Sequence, residues 1–158
     1  MPPQLIYDPK LVDQSKVAFT QEQIYQVNPH RYEFQQLDGI FFIDDSTDVM
    51  AGYRDIRPDE FWVRGHIPGR PLFPGVLMIE CAAQMVSYYI VTRSKEKGFL
   101  GFGGVDEVKF RGQVVPGDRL IMIGKMLEMR GRRRNVGHAQ GFVRDQMVFE
   151  GLITGIFI

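Results

Sequence analysis

The sequence predicts an α+β fold in which a curved antiparallel sheet wraps around one long central helix. Three observations point to it. From Pro74 to about Thr92 the chain is apolar on nearly every side, with Glu80 the one charged residue before Arg93. After that segment the apolar period changes from helical to two, in runs at about 99–110, 119–129, 134–144 and 147–158. Glycines recur inside those runs, at Gly103, Gly104, Gly124, Gly137, Gly141, Gly151 and Gly155. Glycine weakens a strand interior unless another backbone or a packed side chain must come close, so these positions suit a sheet bent tightly over a helix.

The helix follows from its residues. Pro74 suits a helix start, and Val76, Leu77, Ile79, Ala82, Ala83, Met85, Val86 and Ile90 cover most of the cylinder, the pattern of a helix enclosed by protein. Its length approaches a membrane span, but Glu80, Gln84 and Ser87 interrupt the apolar run, which favours a core helix. The runs after it are divided by VVPGD, RGRRRN and RDQ, the spacing of an antiparallel meander. Before it, Leu37 to Arg64 reads as strands joined by turns at Asp44-Asp45-Ser46 and Pro58-Asp59. Thr20 and Gln23 form a capping-box pattern opening a short helix to about Val27, which Pro29 stops. Residues 1–19, with Pro2, Pro3 and Pro9, read as an extended arm lying on the surface or on a neighbouring subunit, and 20–158 as one domain.

Composition narrows the function. Nineteen basic residues balance nineteen acidic ones among 158, so nucleic acid and anionic membranes are not expected as partners, while self-association is tolerated. The single Cys81 rules out an internal disulfide and any multi-cysteine metal site, and reads as a small helix residue rather than a nucleophile. The stretch MPPQLIYDPK has neither the basic start nor the apolar run of a signal peptide, so the expected location is the cytoplasm.

The stretch that carries chemistry runs from Gly65 to Gln84, GHIPGRPLFPGVLMIECAAQ. A lone glutamate in an apolar helix should have a raised pKa and stay partly protonated, which makes Glu80 a candidate acid. His66 lies in a Pro/Gly loop just before the helix, and an imidazole suits a base near neutrality. Pro74-Gly75 places free backbone N–H groups at the helix start, able to stabilise negative charge on a carbonyl oxygen. Gln84 stands one turn beyond Glu80 and either orients its carboxyl or satisfies buried backbone. Taken singly, Glu80 reads equally well as the partner of a buried arginine or as a subunit contact, and His66 as a structural residue.

Taken together, the pattern GH-x-PG-x-P-x-x-PGVL-x-x-E-x-x-AQ closely resembles the active-site motif of the 3-hydroxyacyl-(acyl carrier protein) dehydratases of fatty-acid synthesis, the FabZ-type hot-dog-fold enzymes. PHRYEF at 29–34, VDEVKFRG at 105–112 and VPGD at 115–118 match in the same order, so the resemblance covers about residues 22–158. It implies that His66 and Glu80 are a catalytic pair meeting across a homodimer interface, in a dimer or a trimer of dimers. His66 would take the C2 proton, Glu80 would help the C3 hydroxyl leave as water, the Gly75 amide would polarise the thioester carbonyl, and Gln84 would support Glu80. No cofactor or metal is implied, because the substrate arrives on the phosphopantetheine of acyl carrier protein or as a coenzyme A thioester. Glutamate at position 80, where the dehydratase–isomerases have aspartate, favours dehydration without isomerisation.

The resemblance also implies an apolar acyl tunnel beside the helix, for which Phe73, Met78, Phe99 and Phe102 are candidate walls or plain core. Arg130, Arg132, Arg133 and Arg134 form a basic turn that reads as a solvated tip or as a contact for an acidic carrier protein. Ile67, Phe73 and the glycine-rich Leu100–Gly104 depart from the family pattern and bear on chain length or gating. The competing functions are a hot-dog acyl thioesterase and a non-catalytic acyl-binding regulator.

Overall fold

The computed structural model describes residues 2–158. Its seven strands are β1 (Phe19–Thr20), β2 (Gly39–Asp44), β3 (Val49–Asp55), β4 (Leu100–Phe110), β5 (Arg119–Met129), β6 (Asn135–Val143) and β7 (Gln146–Phe157), with helices α1 (Gln21–Val27) and α2 (Gly75–Arg93). The strands form one antiparallel sheet in the order β1-β2-β3-β5-β6-β7-β4, with α2 packed against β4, β5, β6 and β7. This is the α+β arrangement expected, one sheet folded around one helix.

Glycine makes that curvature possible at two points. A Cβ on Gly137 would lie 2.8 Å from Val86 Cγ2, and one on Gly124 would lie 2.9 Å from Met85 Cε. The sheet therefore approaches α2 more closely than any side chain there would permit. Met85, Val86, Ile90, Cys81 and Ala82 are almost fully buried along this contact, consistent with a helix apolar on most of its circumference. That helix is long and apolar enough to cross a membrane by length and composition, and the sheet that encloses it accounts for the same apolarity.

The four strands after α2 lie within a residue or so of their expected positions, and the β6–β7 turn is made by Arg144 and Asp145 in the left-handed region, as a two-residue hairpin requires. The capping box is present: Thr20 and Gln23 bond one another reciprocally and α1 ends at Val27. One expectation needs correction. Strand structure before α2 stops at Asp55, and residues 56–64 form turns that feed the His66 loop, because Pro58 and the charged Arg57, Asp59 and Glu60 break the alternation.

The N-terminal arm lies on its own subunit. Ile6, Tyr7 and Val12 cover Phe41, Ala51, Ile121, Ile123 and Phe142 on the sheet face opposite α2, giving a second apolar layer. The buried Gln140 fastens it: its Oε1 accepts from the Ile6 amide at 2.9 Å and its Nε2 donates to the Gln4 carbonyl at 2.9 Å. Both faces of the sheet centre are thus covered, which is why β3, β5 and β6 bury residues at successive positions.

Adding one methyl group at the sheet–helix contact tests this account of the curvature. Gly137→Ala is expected to lower stability by about 1–3 kcal/mol, the usual cost of overpacking, read as a drop in the urea midpoint at unchanged slope.

Candidate active site

A cavity of about 240 Å³ runs beside α2, with Glu80 and Gln84 toward one end and Ile90, Phe99 and Leu100 toward the other. Ala83, Val86, Phe102 and Ile153 make its walls mostly apolar, and His30 joins Glu80 at the polar end. The helix rise from Glu80 to Ile90 is about 15 Å, room for a medium-length chain lying along the helix. Phe99 and Phe102 are therefore cavity residues. Phe73 and Met78 do not line this cavity: both are buried, and Phe73 packs edge-on against Trp62 with ring centroids 5.5 Å apart.

Glu80 is held by its neighbours. Its Oε1 accepts from Gln84 Nε2 at 2.7 Å and lies 3.3 Å from His30 Nε2. The Gln84 amide has no choice of orientation, since its Oε1 accepts from the Tyr25 hydroxyl at 2.5 Å and from the Gln36 amide at 3.0 Å, leaving the NH₂ to serve Glu80 and the Phe34 carbonyl. Gln84 thus both orients the carboxyl and satisfies buried backbone, the two roles left open above. Both donors converge on Oε1, and Oε2 is left as the oxygen available to a bound molecule.

This arrangement overturns the expected direction of the Glu80 titration. Burial does push its pKa up, but the hydrogen bond from His30 acts more strongly the other way and Gln84 adds to it, so the carboxyl sits below the ordinary glutamate value. The apolar helix had suggested isolation; the partner comes from the segment before β2, and only the PHRYEF match pointed to that segment. Burial raises the Cys81 thiol to about 12, which leaves it an inert core residue.

His66 stands elsewhere in the subunit, exposed on the loop before α2 and outside the cavity walls. Its Nδ1 lies 2.7 Å from the Leu72 carbonyl. A carbonyl can only accept, so Nδ1 carries the hydrogen and Nε2 presents its lone pair outward. The loop is closed on itself by bonds between Ile67 and Arg70 in both directions and from the Leu72 amide to the His66 carbonyl.

Its base is anchored by a buried charge cluster that sequence reasoning missed. Arg54, 1% exposed, pairs with Glu60 and lies over the Phe73 ring, while Glu60 also accepts from Trp62 Nε1 and from the Arg57 amide. Alternation places Arg54 in a strand but gives no sign that it is buried. Gly75 opens α2 with its Cα under the Phe110 ring; a Cβ there would meet Phe110 Cε1 at 2.7 Å. Its amide belongs to the first helical turn, where N–H groups have no intrahelical acceptor. The basic turn docks on the segment leading into the cavity, with Arg132 Nη1 donating to the Lys97 carbonyl at 2.6 Å and pairing with Glu96.

A sheet curled around one long helix, with a held glutamate at the end of an apolar cavity, is the architecture of a hot-dog-fold protein. Comparison with known proteins agrees. A family model for the FabA-like domain matches residues 28–151. The 3-hydroxyacyl-(acyl-carrier-protein) dehydratase FabZ of Moorella thermoacetica is 34% identical over 129 residues, 81% of this chain and 89% of that protein. The protein of the same name from Alkaliphilus metalliredigens is 36% identical over 135 residues, 84% and 89% of the two chains. Among solved structures, the dehydratase heterocomplex ApeI:P of Xenorhabdus doucetiae superposes with a TM-score of 0.70 at 12% identity over 85% of this chain and 90% of that one. Cj0977, a sigma28-regulated virulence protein of Campylobacter jejuni, does so with 0.68 at 15% over 92% and 95%. At such identities these two speak for the fold alone. The chain belongs to the FabA-like family and is a FabZ-type hot-dog dehydratase.

The Gln84 hub is open to test. Gln84→Leu leaves the Tyr25 hydroxyl, the Gln36 amide and the Phe34 carbonyl without their partner, at about 1–3 kcal/mol for each buried group that finds no substitute. A clear fall in the urea midpoint is expected, with far-ultraviolet circular dichroism unchanged in native buffer.

Proposed function

We propose that this protein removes water from a 3-hydroxyacyl thioester to give the trans-2-enoyl thioester, as a step of fatty-acid biosynthesis. The observation that carries the reading is the placement of Glu80, its Oε2 free at the polar end of an apolar cavity, in a chain of the FabZ type. The acyl chain lies along α2 beside Ala83, Val86 and Ile90, which puts the carbons next to the thioester at Glu80. The curated relatives are named for substrates on acyl carrier protein, and we assign the same carrier here, with a coenzyme A thioester as the alternative.

His66 Nε2 takes the proton from C2, the Gly75 amide stabilises the charge that develops on the thioester oxygen, and Glu80 protonates the departing C3 hydroxyl. The C2–H and C3–O bonds break as the double bond forms, with no net change in oxidation level, so the step calls for no redox group. Because His66 lies outside the cavity of its own subunit, the base is supplied by a second copy.

The sheet supports that assembly. β4 is an eleven-residue edge strand bonded on one side only, to β7, and it exposes Phe102, Val105 and Phe110 at 53%, 40% and 51%. These exposed apolar side chains, set among Asp106, Glu107 and Lys109 on an unpaired strand, suit cover by another chain. We assign it to a homodimer, from which a trimer of dimers can be built, and place the enzyme in the cytoplasm.

The assay offers purified protein 3-hydroxyacyl thioesters of several lengths on both carriers and follows enoyl-thioester absorbance. Turnover is expected for the wild type, with His66→Ala and Glu80→Gln each lowering kcat by about 10²–10⁴-fold while remaining folded. Release of free thiol in place of enoyl product would make the protein a thioesterase. Absence of both, with retained acyl binding, would make it a regulator.

A further inference from the structure

The geometry points to His30 as the proton store of Glu80: the two side chains hold one proton between them, and it is this pair, rather than the glutamate alone, that protonates the leaving hydroxyl. The inference rests on the dehydration proposed above and deepens its acid half. A general acid must carry a proton when the C3–O bond breaks, yet the partners on Oε1 favour the anionic carboxylate. The missing proton has one nearby source. His30 Nε2 lies 3.3 Å from Glu80 Oε1, and both residues line the cavity.

The ring's surroundings single out this contact. His30 Nδ1 is buried without a hydrogen-bond partner, so Nε2 is the ring's route for a proton, and that route leads to Glu80. Tyr25 of α1 presents its ring edge-on at 6.4 Å, but its hydroxyl is committed to Gln84 and to the Leu37 amide. Arg31 turns its guanidinium to the carbonyls of His30 and Asn28 rather than to the imidazole. From α2 comes Glu80 itself, and the far wall of the cavity contributes Phe99, Phe102 and Thr154, none of which titrates in water.

The proton balance closes. Transfer from Nε2 to the carboxylate leaves a neutral imidazole and a neutral carboxyl group. The carboxyl then protonates the C3 hydroxyl, the C3–O electron pair leaves with the water, and the C2–H pair, released as His66 accepts that proton, becomes the double bond. Glu80 ends anionic and His30 neutral; the proton held by His66 exchanges with solvent, and His30 is recharged through Glu80. Two groups exchanging one proton titrate as a unit, so the alkaline limit of the acid's activity belongs to the pair.

The test compares His30→Gln, which keeps an amide donor but no ionisable proton, with His30→Ala, each measured as kcat and KM between pH 5 and 9. In both variants the alkaline limb of kcat/KM is expected to move toward acid, with kcat at pH 8 down about 100-fold and KM within about twofold of wild type. A wild-type limb in His30→Gln would overturn the proposal, since a hydrogen bond alone would then suffice. A second readout needs no turnover: in ¹⁵N-histidine spectra of the full protein, Glu80→Gln is expected to shift the His30 Nε2 resonance, and an unmoved resonance would overturn the pairing. A wild-type enzyme inactive on every thioester would sink the dehydratase reading, while the spectra would still decide whether the two side chains share a proton.

Discussion

The enclosure of α2 is the constraint from which the site follows. A helix buried by the sheet over most of its length can carry polar side chains only where the protein supplies partners, because an unpaired buried carboxyl or amide costs several kcal/mol. Glu80 and Gln84 meet that condition through a network drawn from residues 25–37: the Tyr25 hydroxyl, the Gln36 amide, the Phe34 carbonyl and the His30 ring. The same bonds that satisfy these groups hold Glu80 by its Oε1 and leave Oε2 without a protein partner.

The two residues proposed as the catalytic pair are held on different physical terms. Glu80 is partly buried, fixed by the buried Gln84 and the half-buried His30. His66 is exposed and held from below, by a closed loop standing on the Arg54–Glu60 pair and the Trp62–Phe73 contact. In the proposed reaction the two would act together, and β4, an edge strand bonded only to β7, leaves Phe102, Val105 and Phe110 exposed.

Much of the fold was legible because it is written in local patterns. The α2 run, the change to period two, the Thr20–Gln23 box and the Arg144-Asp145 turn each depend on near neighbours, and each stands where expected. The family motif placed Glu80 and Gln84 correctly beside one another. What could not be read depends on contacts between distant segments: His30 reaching Glu80 fifty residues away, Gln140 fastening the arm, Arg54 buried beneath the His66 loop. The reversed titration of Glu80 is the clearest case, since burial could be inferred from the helix but the opposing hydrogen bond could not. Phe73 was open for a related reason: an aromatic beside such a loop looks the same in sequence whether it faces a cavity or packs on Trp62.

The central claim is that imidazole and carboxyl come together from two copies of the chain. Mixing His66→Ala subunits with Glu80→Gln subunits tests it most directly, because a mixed dimer then holds one site with both groups intact. Random reassociation should restore roughly a quarter of wild-type turnover, half of the dimers being mixed and each having one working site of two. Turnover no greater than the sum of the two inactive parents, with subunit exchange verified by mass, would contradict it.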